Sequence, residues 1–358
     1  MSSWEYTEHE LWRFGEEDIS IYHVFSTVAM KQTVLVFAEA RYGDGSDGSC
    51  SHDIRMKKSL DGGKSFGEER ILLSSEGKHC WVNPCPIWDE TKNRLFLFYQ
   101  ENFENTHTRI YLIHSDDGGE SWSEPRELTD LVAHGFSLTG PGHGICLKSS
   151  PHKGRLLMPT WHREPNVEIP VQQRGYCVSL LISDDHGETW HRSDTLFGDV
   201  LANESRLAET KGGLLWHLRT KSDRSRISRS FDGGESWSEA VCLPISPAKS
   251  CDIGTVSLCG KEDYEDLFLL ARVSHPTERR NMEIQISTDG GATFEDRFAL
   301  PEGDVMPGYC DLCVIEETDA EPVIGLIHCR SNHVLFSRIS LQALTNGKYE
   351  HTTRSVWL

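Results

Sequence analysis

The eight residues Ser115-Asp-Asp117-Gly118-Gly-Glu-Ser-Trp122 decide the fold, because they recur. Close copies begin at Ser59 (Ser-Leu-Asp61-Gly62-Gly-Lys-Ser-Phe66), Ser183 (Ser-Asp-Asp185-His-Gly187-Glu-Thr-Trp190), Ser230 (Ser-Phe-Asp232-Gly233-Gly-Glu-Ser-Trp237) and Ser287 (Ser-Thr-Asp289-Gly290-Gly-Ala-Thr-Phe294). Each reads as a turn with its own anchor. The Asp is expected to accept hydrogen bonds from backbone two residues on, and the glycines supply positive φ without steric cost. The closing aromatic is expected to drop into the core beside the next strand. One such box could belong to any tight hairpin, but five mark a repeat.

The box aspartates stand at 61, 117, 185, 232 and 289, intervals of about 50 to 70 residues that suit four-stranded propeller blades rather than the shorter helical repeats. Six blades of about 60 residues fill the chain and leave one blade, expected to be the last, without a box. The expected fold is therefore all-β, a six-bladed β-propeller with four-stranded antiparallel blades and Asp-box turns, occupying residues 1–358 as a single domain. Residues 1–20 read as a lead-in that pairs with the last blade. Ile21 to Met30 reads as an inner strand, and Thr33 to Ala38 as the next, carrying Glu39-Ala-Arg41 at its end. The Gly/Asp/Ser stretch from Tyr42 onward, containing Asp44 and Asp47, can only be a loop.

Composition sets limits. With 37% hydrophobic residues, 30 Gly and 10 Trp the chain is globular and turn-rich, and it has no apolar run of membrane-spanning length. A formal charge of −19 argues against nucleic acid or an anionic membrane as partner, and it requires that any anionic ligand be met by a local cluster of arginine. The first residues lack a basic segment and an apolar one, so no secretory signal is expected. Eleven Cys without paired metal spacing then read as reduced thiols in a cytoplasmic protein, with no structural zinc.

Along the chain the residues resemble the sialidases (exo-α-sialidases, neuraminidases). The resemblance rests on Arg41 at a strand end with Asp47 six residues on, Val82-Asn83-Pro84-Cys85-Pro86, Leu138-Thr-Gly140-Pro141-Gly142-His143-Gly144, Asn203-Glu204-Ser205 followed by Trp216-His-Leu-Arg219, Glu278-Arg279-Arg280-Asn281, and Gly308-Tyr309-Cys310-Asp311-Leu312. These lie in the family's order from about residue 20 to 330. The resemblance implies Tyr309 as nucleophile, Glu204 as its base and Asp47 as general acid/base, with Arg219 and Arg279 as two members of a three-arginine carboxylate clamp and Arg41 orienting substrate or Asp47. It implies a sialic acid glycoside or a related ulosonic acid glycoside as substrate, and no cofactor or metal.

The residue types suit that chemistry. A carboxylate nucleophile would be repelled by the substrate's own carboxylate, whereas a tyrosine is neutral at rest and can pass its proton to a neighbouring glutamate; sialidases are the named exception to the two-carboxylate rule. Arginine forks bind a carboxylate bidentately and stay charged. Asp44 is the rival of Asp47 for the acid role. Only one of Arg279 and Arg280 can face a pocket, and register favours Arg279. His143 between glycines reads as shaping its loop, and Arg226 as an outward salt bridge.

One position departs from the family. His23 stands where its first clamp arginine begins an Arg-Ile-Pro segment, and a missing charged hydrogen bond there is worth ~1.5–3 kcal/mol. Three readings stay open. His23 completes a weaker clamp, another arginine such as Arg13 or Arg41 fills the space, or the pocket takes a different acidic sugar. A carbohydrate-binding propeller without catalysis is the alternative of another class, and glycosyl transfer in place of hydrolysis is a third.

Overall fold

The computed structural model describes residues 5–132, 135–149, 151–163, 175–194, 202–220, 224–259, 264, 266–304, 308–316 and 321–347. In them the chain forms six antiparallel sheets whose first strands contact one another around an axis, a six-bladed propeller as the repeat predicts. The first blade runs Ile21–Met30, Thr33–Arg41, His52–Ser59 and Arg70–Leu73 from axis to rim; the second runs Trp81–Asp89, Arg94–Phe103, His107–Ser115 and Arg126–Glu127. The third comprises Ser137–Thr139, Leu156–Arg163, Tyr176–Ser183 and His191–Arg192, with a short extra strand, Ile145–Cys146, on its second. The fourth holds Ala202–Thr210, Gly213–Thr220, Arg226–Ser230 and Val241–Cys242, and the fifth Gly254–Ser257, Phe268–Val273, Met282–Ser287 and Asp296–Ala299.

The sixth blade has no box. Its strands Cys310–Ile315, Val323–Arg330 and His333–Ser340 are completed by Tyr6–Arg13, which pairs antiparallel with His333–Ser340. The lead-in therefore closes the ring. Second strands such as Thr33–Arg41 are buried at almost every position because each blade is covered on both faces by its neighbours, so their apolar runs are continuous rather than alternating.

The boxes differ from expectation in who bonds whom. Asp61 accepts the backbone N–H of Ser65 at 2.9 Å and its hydroxyl at 2.6 Å, four residues on rather than two. It is Ser59 Oγ that faces the near backbone, accepting the Gly63 N–H at 2.7 Å while donating to Asp61 at 2.7 Å. Two successive left-handed glycines, Gly62 and Gly63 (φ 72° and 80°), carry the chain back over the carboxylate. The second glycine also lies against the preceding blade: a Cβ at Gly119 would stand 2.9 Å from Leu35, and one at Gly291 2.6 Å from Leu215. The aromatics follow. Trp190 of the third blade sets its ring edge-on to Phe98 of the second, with centroids 5.0 Å apart. Each box thus wedges its blade onto the one before it, and the ring is held by these contacts.

Candidate active site

Connections after first and third strands lie on one face of the ring, which holds the boxes. Starts of first strands and ends of second strands lie on the other. His23, Glu204 and Tyr309 stand at or beside starts of first strands, while Arg41 and Arg219 end second strands. Asp47 and Arg279 sit in the loops that follow second strands. All seven residues singled out from the sequence therefore belong to the face opposite the boxes.

Local backbone irregularity aims them. The first strands of the first, second and fourth blades bulge between His23 and Ser26, Val82 and Cys85, and Ala202 and Ser205, and Val24 and Asn83 adopt positive φ (47° and 51°). A bulge turns the side chains beside it out of the alternating pattern. Glu204 is one of them.

Tyr309 and Glu204, 6% and 8% exposed, meet directly: the phenol donates a short hydrogen bond to Glu204 Oε1, and Arg219 pairs with Oε2. Arg219 Nη1 also lies 3.4 Å from the Tyr309 hydroxyl, and its Nε donates to Ser250 Oγ at 3.3 Å. The Arg279 guanidinium lies 5.9 Å over the Tyr309 ring, whose centroid is 4.3 Å from that of His23. Gly308, with φ 85°, makes this possible, because a Cβ there would stand 2.8 Å from Cys251 Sγ and 3.2 Å from Arg279. Arg280, by contrast, turns to Glu278 at 2.9 Å.

Burial, followed by the neighbouring Glu204 charge, raises the Tyr309 phenol well above its ordinary range, with Arg219 opposing. The phenol is neutral at rest, with an acceptor already on its proton and a cation beside its oxygen. Burial pushes His23 well below its usual range, and Arg41, Arg279, His52 and Arg219 push the same way. His23 is therefore a neutral imidazole, and its Nδ1 is buried with no hydrogen-bond partner.

A second group adjoins the first. His23 faces Glu39 across the strand pair. Glu39, fully buried, holds Arg41 through Nε at 2.8 Å and Nη2 at 2.6 Å, and accepts the Asn83 N–H at 2.8 Å. Arg41 Nη1 in turn reaches Asp47 Oδ1 at 2.6 Å. The Asp47 side chain is 77% exposed, while its backbone carbonyl is held by Asn102 Nδ2 at 2.8 Å. Asp44 accepts the Ser46 N–H at 3.0 Å, the ordinary turn role. Arg226 donates to the Ala240 carbonyl, a backbone partner in place of the outward salt bridge expected.

Sequence reasoning missed what lies below the phenol. His143, read as a loop former, has Nδ1 2.9 Å from Asp311 Oδ1, and Arg206 binds both Asp311 and Asp252. A faint signal existed in the spacing of Tyr309 and Asp311, two residues apart, which on a regular strand puts both on one face.

Comparison with known proteins agrees with this architecture. The family model described as BNR repeat-like domain matches residues 32–329. The chain is a BNR-repeat member of the sialidase superfamily. Among curated members of the superfamily, a sialidase of Bacteroides fragilis is 25% identical over 363 residues, covering 92% of this chain and 63% of its own. Human Sialidase-3 is 33% identical over 246 residues, covering 59% of this chain and 56% of its own. This superfamily member thus spans about three fifths of the length of those relatives. Of solved structures, a Hadza microbial sialidase superposes with TM-score 0.78 at 22% identity over 92% of this chain and 68% of its own. The intramolecular trans-sialidase of Ruminococcus gnavus, solved with oseltamivir carboxylate, superposes with TM-score 0.74 at 18% identity over 93% and 97%.

Proposed function

We propose that this BNR-repeat protein is an exo-acting, retaining glycosidase that hydrolyses terminal α-ketosidically linked sialic acid, with Tyr309 as nucleophile, Glu204 as its base and Asp47 as general acid/base. The observation that carries the reading is the contact of Tyr309, Glu204 and Arg219. As the phenol oxygen attacks the anomeric carbon, its proton passes to Glu204, so no free phenoxide has to form in the buried site. Asp47, on the exposed loop, gives its proton to the departing aglycone oxygen and takes one from the water that later cleaves the tyrosyl-glycosyl bond, as Glu204 returns its proton to the departing Tyr309 oxygen. Two displacements at one carbon return the starting anomeric configuration. Arg219 and Arg279 meet the substrate carboxylate, and Arg41 orients Asp47. The names of the curated relatives, sialidases, support the substrate class.

A neutral His23 whose Nδ1 has no hydrogen-bond partner favours a second reading of the substrate alone, in which the same mechanism works on a related ulosonic acid. An imidazole gives the carboxylate at most one hydrogen bond in place of a charged fork.

The test is hydrolysis of aryl α-glycosides of N-acetylneuraminic acid and of its deaminated analogue by the wild type, Tyr309→Phe and Glu204→Gln. Glu204→Gln should lower kcat by ~10²–10⁴, and Tyr309→Phe should abolish burst and steady turnover while binding remains. Binding without turnover by the wild type on either glycoside would make the protein a lectin instead.

A further inference from the structure

Directly under the proposed catalytic pair lies a charged network closed to water. Arg206 is 1% exposed, and Asp252 and Asp311 are fully buried. Arg206 Nε donates to Asp252 Oδ1 at 3.1 Å and Nη2 to its other oxygen. Nη1 donates to Asp311 Oδ1 and Nη2 to the Cys310 carbonyl, both at 3.1 Å. Asp311 also accepts the Thr27 N–H at 2.9 Å and stands 2.9 Å from His143 Nδ1. One guanidinium therefore joins the first strand of the fourth blade to that of the sixth and to the segment entering the fifth, and Asp311 extends the tie to the first and third blades.

Every arm of this fork ends within two residues of a group that touches the proposed reaction centre. Arg206 follows Glu204 by two positions and Asp311 follows Tyr309 by two, while Cys310 adjoins Tyr309. Asp252 follows Ser250, which accepts from Arg219. A buried ion cluster is a poor device for stability, since apolar side chains of equal volume serve as well or better. What apolar packing lacks is a planar fork that fixes two strands and the segment entering a third at set lengths and angles. The loop of the third blade leaves room for that fork: Gly142, with φ 79°, lies where any Cβ would fall on Arg206 Nη1.

We infer that Arg206, with Asp252 and Asp311, is the positioning element of the reaction, setting the separation of Tyr309 and Glu204 on which proton transfer depends. It rests on the glycosidase reading above. A displacement near 1 Å in such a pair costs about a hundredfold in rate, so loosening the fork should appear in kcat and not in substrate binding.

The test compares wild type, Arg206→Lys, Asp252→Asn and Tyr309→Phe on an aryl α-sialoside, each below its own unfolding midpoint. Arg206→Lys keeps the charge and loses the fork; Asp252→Asn keeps the volume and one acceptor. Both should lower kcat about tenfold or more with KM within about threefold, and should displace the pH profile of kcat, which a merely weakened fold would leave in place. A folded variant with kcat within twofold of wild type, or a loss confined to KM, overturns the inference. Failure of both variants to fold would make the network a folding element and overturn it too. Tyr309→Phe separates the two claims: full turnover there sinks the nucleophile reading, whereas loss there with wild-type kcat in Arg206→Lys sinks only this one.

Discussion

Mild acid should destabilise this propeller, and four buried histidines allow much of the loss to be worked out. Burial holds His162 and His328 down to about 4, and His52 and His217 down to about 3, helped at His52 by Arg41 and at His217 by Arg206 and Arg219. In the unfolded chain each titrates near 6.5. Between those values the unfolded state binds more protons, so stability is present at neutral pH and falls as pH falls. At pH 5 each imidazole removes ~2 kcal/mol, or ~8 kcal/mol for the four. Asp252 works the other way. Burial raises its carboxyl above the usual carboxylate range against the pull of Arg206, which returns part of that loss over the same range. The remaining loss, to which the depressed His23 adds and from which the raised Glu39 subtracts, is a large share of a total stability of ~5–15 kcal/mol. Box carboxylates do not contribute there. Burial raises Asp61, Asp232 and Asp289, yet hydrogen bonds from Ser65, Ser236 and Thr293 hold all three down to about 2, so their share is lost only below about pH 4. Urea unfolding followed by tryptophan fluorescence from pH 7.5 to 5 should show the decline. His217→Gln, at a ring with neither nitrogen partnered, should reduce the decline between pH 7.5 and 5 by ~2 kcal/mol. Equal stability at pH 7.5 and 5 would refute the reasoning.

Three further outcomes are expected. Gly187→Ala, which drives a methyl into Phe96 at φ 87°, should cost ~2–4 kcal/mol in stability while leaving KM on an aryl sialoside unchanged; a neutral effect would deny the wedging of blade on blade. His23→Ala should lower kcat/KM on N-acetylneuraminides about fivefold, the worth of ~1 kcal/mol for one neutral hydrogen bond, and a rise with His23→Arg would show that the native pocket suits another acidic sugar. Proton NMR of early product should reveal the α-anomer first, as double displacement requires; the β-anomer first would exclude a tyrosyl intermediate, and an anhydro sugar would show transfer within the substrate.

The architecture was legible because it is written in short-range signals repeated five times. Two positive-φ residues after an Asp and before an aromatic, both glycine in four copies and His186-Gly187 in the third, have a local geometry that needs no knowledge of the rest of the chain. The meeting of Tyr309 with Glu204 and of Arg41 with Asp47 followed from resemblance, not from any pattern in composition. The Asp-box bonding was misassigned because the Asp and Ser of one turn can each satisfy the near backbone, and only the successive positive φ angles decide between them. The tie of Arg206 to Asp311 joins residues 105 positions apart, and no periodicity announces such a pair. Neither did the bulge beside His23, where the backbone and not the side chain departs from the regular pattern.

Because the Asp boxes hold the ring from one face while the polar groups gather on the other, the two ends of every blade answer to different demands. The loops after second strands can change length or chemistry without touching a wedge, so substrate preference is open to redesign at little structural risk. Varying Thr277, Glu278 and Arg280 around a fixed Arg279, for example, edits the loop that carries this arginine and leaves the box glycines and aromatics as they are. A protein engineer could treat the two surfaces as chassis and tool.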